Sequence, residues 1–178
     1  MSQNHVMRKW HLAIAVLVVL LDRLSKWLVA KGIALHETIQ IIPGFFRFTH
    51  VENSGAAFGL FAESASQWKL AALILFSVVA LAVVMILLWR NSYALTSTGV
   101  GLSLILGGAL GNLWDRIFDG HVVDFLEFYI GPYHWPAFNV ADSAIVIGAL
   151  LLMSEILFAK SAQREEKVIA SQKSQVGS

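Results

Sequence analysis

Cysteine is absent from this 178-residue chain. Without it there is no disulfide, no thiolate nucleophile and no cysteine metal site, so any chemistry has to use oxygen or nitrogen groups. Charge is almost as scarce. Asp, Glu, Lys and Arg make up 14% of the residues against 57% hydrophobic, and the mean hydropathy is +0.66. Such a chain is too apolar for an ordinary water-soluble domain and reads as one compact membrane domain. Its net charge of +1 is too small to attract a polyanion, and its basic clusters sit at the termini. Nucleic acid is therefore not an expected partner. Proline is confined to Pro43, Pro132 and Pro136, in or at the ends of stretches that read as turns or loops.

What the chain does have is long apolar runs. The first, from about Trp10 to Val29, follows Arg8 and Lys9 and could pass for a secretory signal peptide. It leads instead into Asp22, Arg23 and Lys26 with no small-residue cleavage site, so an uncleaved helix is expected. On that helix Asp22 and Lys26 lie four apart and form a structural ion pair. A second span runs over 68–89, and about 22 helical residues cover ~33 Å, enough to cross the hydrocarbon core. A third covers 95–114, where Gly99, Ser103, Gly107 and Gly111 make a flat stripe for close helix packing that leads straight to Asp115. The fourth covers 139–158. All six tryptophans, at 10, 27, 68, 89, 114 and 135, fall at the ends of these spans, as an interfacial aromatic belt requires.

Between the first two spans, about 33–61, the pattern changes to short alternating runs. Thr38-Ile39-Gln40-Ile41 and Phe46-Arg47-Phe48-Thr49, separated by Pro43-Gly44, predict a hairpin with one apolar face resting on the membrane surface. Residues 116–136 read as a loop containing a short extended or helical run at 121–130. The expected fold is thus an all-α membrane protein of four transmembrane helices with a small extracytoplasmic β-hairpin. Residues 1–160 form a single integral membrane domain and 161–178 a polar cytoplasmic tail. Arg8, Lys9, Arg90 and the basic tail put both termini in the cytoplasm, and the hairpin and any site beside it near the outer leaflet.

Chemistry concentrates between Gly107 and Gly148. Asn112, Asp115, Arg116, Asp119, Asp124, Asn139 and Asp142 lie in or beside these apolar segments, where such side chains are costly unless they perform a function. Asn139 and Asp142, three apart, would also cap a helix, so Asp142 alone has a structural explanation. Asp124, within Val122-Val123-Asp124-Phe125-Leu126, has none. Two carboxylates in a poorly solvated place share a proton, one acting as acid and the other as base. That division suits peptide hydrolysis without a covalent intermediate. The helix dipole makes Asp142 the favoured base and leaves Asp124 as the acid, an assignment softened by their joint titration. Asn112 and Arg116, four apart, share a helix face that can hold substrate carbonyls.

DRLSKW at 22–27, ENSGAAFGLF at 52–61, GNLWDR at 111–116, HVVDF at 121–125 and FNVADS at 138–143 resemble, in order, the boxes of the lipoprotein signal peptidase, or signal peptidase II, family. The resemblance implies a bacterial aspartyl endopeptidase of the cytoplasmic membrane. Its substrates would be prolipoproteins whose lipobox cysteine carries diacylglycerol, cut immediately before that cysteine. By the same resemblance Asp124 and Asp142 are the catalytic pair, and Asn53, Asn112, Arg116 and Asn139 line the site and contact substrate. Asp22 and Lys26, with Gly55, Asp115 and Ala141 near the site, have a more structural role. A diacylated cysteine is anchored in the outer leaflet at ~0.8 kcal/mol per buried CH₂, so membrane lipid is an expected partner. No metal or other cofactor is expected, and the protein should act as a monomer.

Three other readings are weighed. A serine protease built on Ser54 and His50 lacks a nucleophile-elbow pattern. A metalloprotease built on His121, Asp124, His134 and Asp142 lacks a His-Glu-x-x-His helix. A proton-coupled carrier would use the carboxylates as a relay, but inverted repeats and broken helices are missing.

Overall fold

The computed structural model describes residues 2–55, 67–90 and 96–157. The predicted tail at 161–178, the turn at 91–93 and the second half of the 52–61 box lie outside those residues.

Helix α1 (Ser2–Gly32) runs past both ends of the predicted first span, because no glycine or proline interrupts it before Gly32. Helix α2 (Gln67–Arg90) is apolar on every side. Its Leu75 and Phe76 are 64% and 73% exposed, an arrangement that suits hydrocarbon and not water. Helix α3 (Ser97–Phe118) packs against both. Helix α4 (Val140–Leu157) and the stretch Trp68–Arg90 of α2 are each long and apolar enough to cross a bilayer.

Small residues bring α3 close to its neighbours. A Cβ added to Gly107 would lie 2.7 Å from the Ala15 carbonyl oxygen and from Val18 Cβ, and one added to Gly111 would lie 2.6 Å from Asp22 Oδ2. The Gly99 to Gly111 stripe is therefore the face of α3 that meets α1. A second set, which the four-residue spacing does not reveal, meets α4: a Cβ on Gly101 would come 2.8 Å from the Gly148 carbonyl oxygen. Glycine on both faces makes α3 the centre of the helical layer.

The all-α expectation is too narrow, because the chain also forms a four-stranded antiparallel sheet in the order β1-β2-β3-β4. The predicted hairpin corresponds to β1 (Thr38–Ile42) and β2 (Phe46–Asn53). The run at 121–130, expected to be extended or helical within a loop, is extended and forms the inner strand β3 (Val122–Ile130), followed by the short β4 (Tyr133–His134). The apolar run of β3, interrupted by Asp124 and Glu127, suits a strand covered on both faces, with Val122 and Asp124 buried on one and Phe125 and Glu127 on the other. On one side it pairs with β2 from Phe46↔Phe128 to Asn53↔Val122. On the other the returning chain zips against it, Leu126 N donating to Phe138 O at 2.8 Å and Phe138 N to Leu126 O at 3.0 Å. Arg47 and Glu127 lie opposite each other and join β2 to β3 by two hydrogen bonds of 2.7 and 2.8 Å, and His134 Nδ1 lies 2.9 Å from the same carboxylate. The sheet rests on the helices through Val29, Ile33 and Phe125, with Phe48 and Val140 packed around them. That contact holds the 122–124 end of β3 beside the start of α4.

A second correction concerns α3. It continues one turn beyond the predicted 95–114 span, taking in Asp115, the next position on the glycine stripe, and Arg116, the first residue of the predicted 116–136 loop.

Candidate active site

Asp124 enters from β3 and Asp142 from the first turn of α4, and the two border one cavity of about 500 Å³. Asn53, Asn112 and Arg116 complete its polar end. Val122, Trp135, Phe138, Ile145 and Val146 line the rest. A mainly apolar pocket with a few convergent polar groups is the usual form of a site for a small or extended ligand.

Asn139 joins the two aspartates. Its Nδ2 donates to Asp124 Oδ1 at 2.7 Å, while its Oδ1 accepts from Asp142 N at 2.9 Å. Asp142 Oδ2 in turn accepts from Asn139 N at 3.3 Å, completing a reciprocal cap at the start of α4. The capping role read from the Asn-x-x-Asp spacing is thus present, yet it occupies only one carboxylate oxygen. The other, Oδ1, accepts from Asn112 Nδ2 at 2.8 Å. Asp124 Oδ2 accepts from Asn53 Nδ2 at 2.9 Å, and Asn53 Oδ1 accepts from Gly55 N at 2.9 Å. Each aspartate therefore meets side-chain amides rather than a neutralising cation.

Asp124 is only 4% exposed, and burial pushes its carboxyl up from an ordinary 3.8 to about 6. The Asn53 amide opposes that rise and the charge of Asp142 adds to it. A carboxyl in that range is divided between acid and carboxylate near neutral pH, as a proton donor needs to be.

Behind the cavity lies a buried ionic cluster. Lys26 Nζ donates to Asp22 Oδ2 at 2.7 Å, to Asn112 Oδ1 at 3.0 Å and to Asp115 Oδ2 at 2.5 Å. Asp22 Oδ1 accepts from Ala141 N at 2.9 Å, tying α1 to the start of α4. The expected Asp22–Lys26 pair is present, then, as one edge of a larger network. Arg23, given no role by sequence reasoning, pairs with Asp115. Its signal was an unassigned charge at the end of a span. Arg116 donates to the Asn112 carbonyl at 3.2 Å and to the Gly55 carbonyl at 3.4 Å, with its guanidinium at the cavity wall. Ser143, also missed, lies on that wall and is the last residue of the FNVADS box.

The residues of the competing readings sit differently. His50 is buried, its Nδ1 at 2.8 Å from the Ile33 carbonyl and its Nε2 without a hydrogen-bond partner among the described residues, while Ser54 is exposed. His121 lies 3.4 Å from Glu52, and His134 is stacked on Tyr129 and bonded to Glu127. Among the described residues no three His, Asp or Glu side chains converge as metal ligands.

A family model described as Signal peptidase (SPase) II matches residues 14–158, a stretch containing every residue of the site. The chain is similar to the lipoprotein signal peptidase of Solibacter usitatus, 44% identical over 144 residues that cover 81% of this chain and 88% of that one. It is also similar to the lipoprotein signal peptidase of Desulforapulum autotrophicum, 47% identical over 151 residues covering 83% and 91%. A solved bacterial membrane enzyme, determined by the in meso method, superposes with a TM-score of 0.77 at 32% identity, covering 86% of this chain and 91% of that one. Two apolar helices long enough to span, a buried polar cavity beside them and likeness over most of the chain agree: this is a bacterial membrane protein that belongs to the signal peptidase II family of proteases.

Proposed function

We propose that the protein removes signal peptides from prolipoproteins as an aspartyl endopeptidase, cutting immediately before the diacylglyceryl-modified lipobox cysteine. The carrying observation is the pair of aspartates on one cavity, joined by Asn139 and held by amides rather than by ion pairs. Asp142 takes a proton from the attacking water. The resulting hydroxide oxygen bonds to the scissile carbonyl carbon, while protonated Asp124 donates to the carbonyl oxygen. The tetrahedral species collapses as the C–N bond breaks, and the departing amine takes up a proton returned by the pair. Arg116 and Asn53, at the cavity wall, offer donors to neighbouring substrate carbonyls. The relatives named as lipoprotein signal peptidases supply the substrate class. Family membership favours this reading over a carrier.

In the membrane, α1 to α4 are four spans with both termini cytoplasmic. The sheet faces outward and the cavity lies near the outer leaflet, where a diacylated substrate arrives by lateral diffusion and a monomer suffices. The test uses full-length protein in detergent with a lipobox peptide whose cysteine carries diacylglycerol. Asp124→Asn and Asp142→Asn should each abolish cleavage with normal membrane insertion, and the unmodified peptide should be a poor substrate. Appreciable turnover in either variant would sink the pair, and equal cleavage of the two peptides would sink the substrate assignment. A C-terminal reporter active only outside the cytoplasm would reverse the orientation.

A further inference from the structure

Lys26 is buried on α1 and borders the polar end of the cavity only through other side chains. An ammonium group can only donate, so the Asn112 atom facing it at 3.0 Å has to be the carbonyl oxygen, Oδ1. Asn139 Nδ2 donates to that same oxygen at 3.3 Å. With Oδ1 so held, Asn112 Nδ2 is directed at Asp142 Oδ1, 2.8 Å away. A reversed Asn112 amide would aim its oxygen at a carboxylate and its hydrogens at an ammonium, losing both bonds. Asn139 is fixed in the same sense, with its Nδ2 committed to Asp124 and Asn112 and its Oδ1 to Asp142 N. The lysine has no freedom to turn either, since Asp22, Asn112 and Asp115 use its three N–H bonds.

We infer that Lys26 is a positioning residue for the peptidase reaction, setting through Asn112 the direction in which an amide meets Asp142 and holding the oxygen on which Asn139, the amide partner of Asp124, also rests. The inference rests on the reading of Asp124 and Asp142 as the reacting pair. It differs from charge balance alone, in which Lys26 merely neutralises Asp22 and Asp115 and ties α1 to α3. Lys26 is also among the groups that oppose the burial-driven rise of the Asp124 carboxyl, so its loss has an electrostatic signature as well.

Two variants separate the roles. Lys26→Met/Asp22→Asn removes one charge of each sign, leaves an oxygen for Ala141 N to donate to, and keeps the Arg23–Asp115 pair. Lys26→Met/Asp115→Asn is the second charge-balanced pair, used if the first does not insert. Full-length protein in detergent is assayed with the diacylated lipobox peptide, with thermal unfolding followed in parallel. A positioning role predicts near-normal unfolding, a kcat lower by about 10- to 100-fold, and KM within about twofold of the original. It also predicts that the limb of the kcat/KM profile near pH 6 moves to higher pH. A folded variant with kcat within about threefold of the original, or with a change confined to KM, overturns the inference. Failure of both pairs to fold overturns it too, making Lys26 a folding residue. Asp124→Asn and Asp142→Asn are run alongside. If they turn over substrate, the pair reading is wrong. If they are inert while the double variant keeps its kcat, only the role given to Lys26 is wrong.

Discussion

Replacing Asp124 with asparagine should remove activity and also change how stability depends on pH. In the folded protein, burial pushes this carboxyl up from 3.8 to about 6. The folded state then binds more protons than the unfolded chain across that interval, so wild-type stability falls as pH rises from about 4 to 6 and levels off above. At about 1.4 kcal/mol per pH unit the whole loss is about 3 kcal/mol, of which about 2.5 kcal/mol falls between pH 4 and pH 7. Asparagine cannot ionise and has no such slope. It carries a different penalty. Both oxygens of Asp124 accept from amide groups, so the new NH₂ would face a donor, Asn53 or Asn139, at a cost of about 1–3 kcal/mol. That cost does not vary with pH. The readout is therefore the difference between the two proteins, which should move in favour of the variant by about 2.5 kcal/mol from pH 4 to pH 7. Unfolding of full-length protein in detergent micelles, at a series of pH values, measures it. Wild-type kcat/KM should fall above about pH 6 as the acid form is lost. Parallel stability curves would refute the burial argument even if the variant were inactive.

Other expectations follow from single contacts. Gly107→Ala places a methyl 2.7 Å from the Ala15 carbonyl oxygen, so α1 and α3 must separate. A stability loss of about 1–3 kcal/mol should appear as a lower Tm, with cleavage retained below it. Arg47→Met removes two hydrogen bonds to Glu127 and should cost about 1–2 kcal/mol near pH 7. Because Arg47 holds the Glu127 carboxyl below its ordinary 4.5, that stabilisation is present above pH 4.5 and lost as pH falls through the lowered value. Unfolding curves of the two proteins should accordingly converge in acid. Ser54→Ala, and separately an excess of chelator, should leave cleavage intact; loss of turnover in either experiment would revive the serine or the metal reading.

Parts of the molecule were legible because local chemistry decides them. The α2 run is apolar on every side and too long for anything but a helix. Asn139 and Asp142 carry a capping pattern whatever else they do. Strand β3 was harder, since Val122 to Ile130 is apolar almost throughout and neither a period of two nor one of 3.6 stands out. What makes it a strand is pairing with residues far away in the chain. The last turn of α3 was misread for a related reason. Asp115 and Arg116 look like the polar end of a span until Lys26 and Arg23, on another helix, are seen to satisfy Asp115. The four-residue spacing revealed the Asp22–Lys26 pair, but no spacing links Lys26 to Asn112.

Asn139 closes the strand-like return along β3 and opens α4, so one residue is the seam between the sheet and a helix long and apolar enough to cross a bilayer. One aspartate rides on each side of that seam. Any tilt of the sheet against the helices changes the gap between the two carboxyls. For the proposed chemistry, the thickness and lateral pressure of the surrounding bilayer thus become mechanical inputs, and Asn139 is the stitch that resists them.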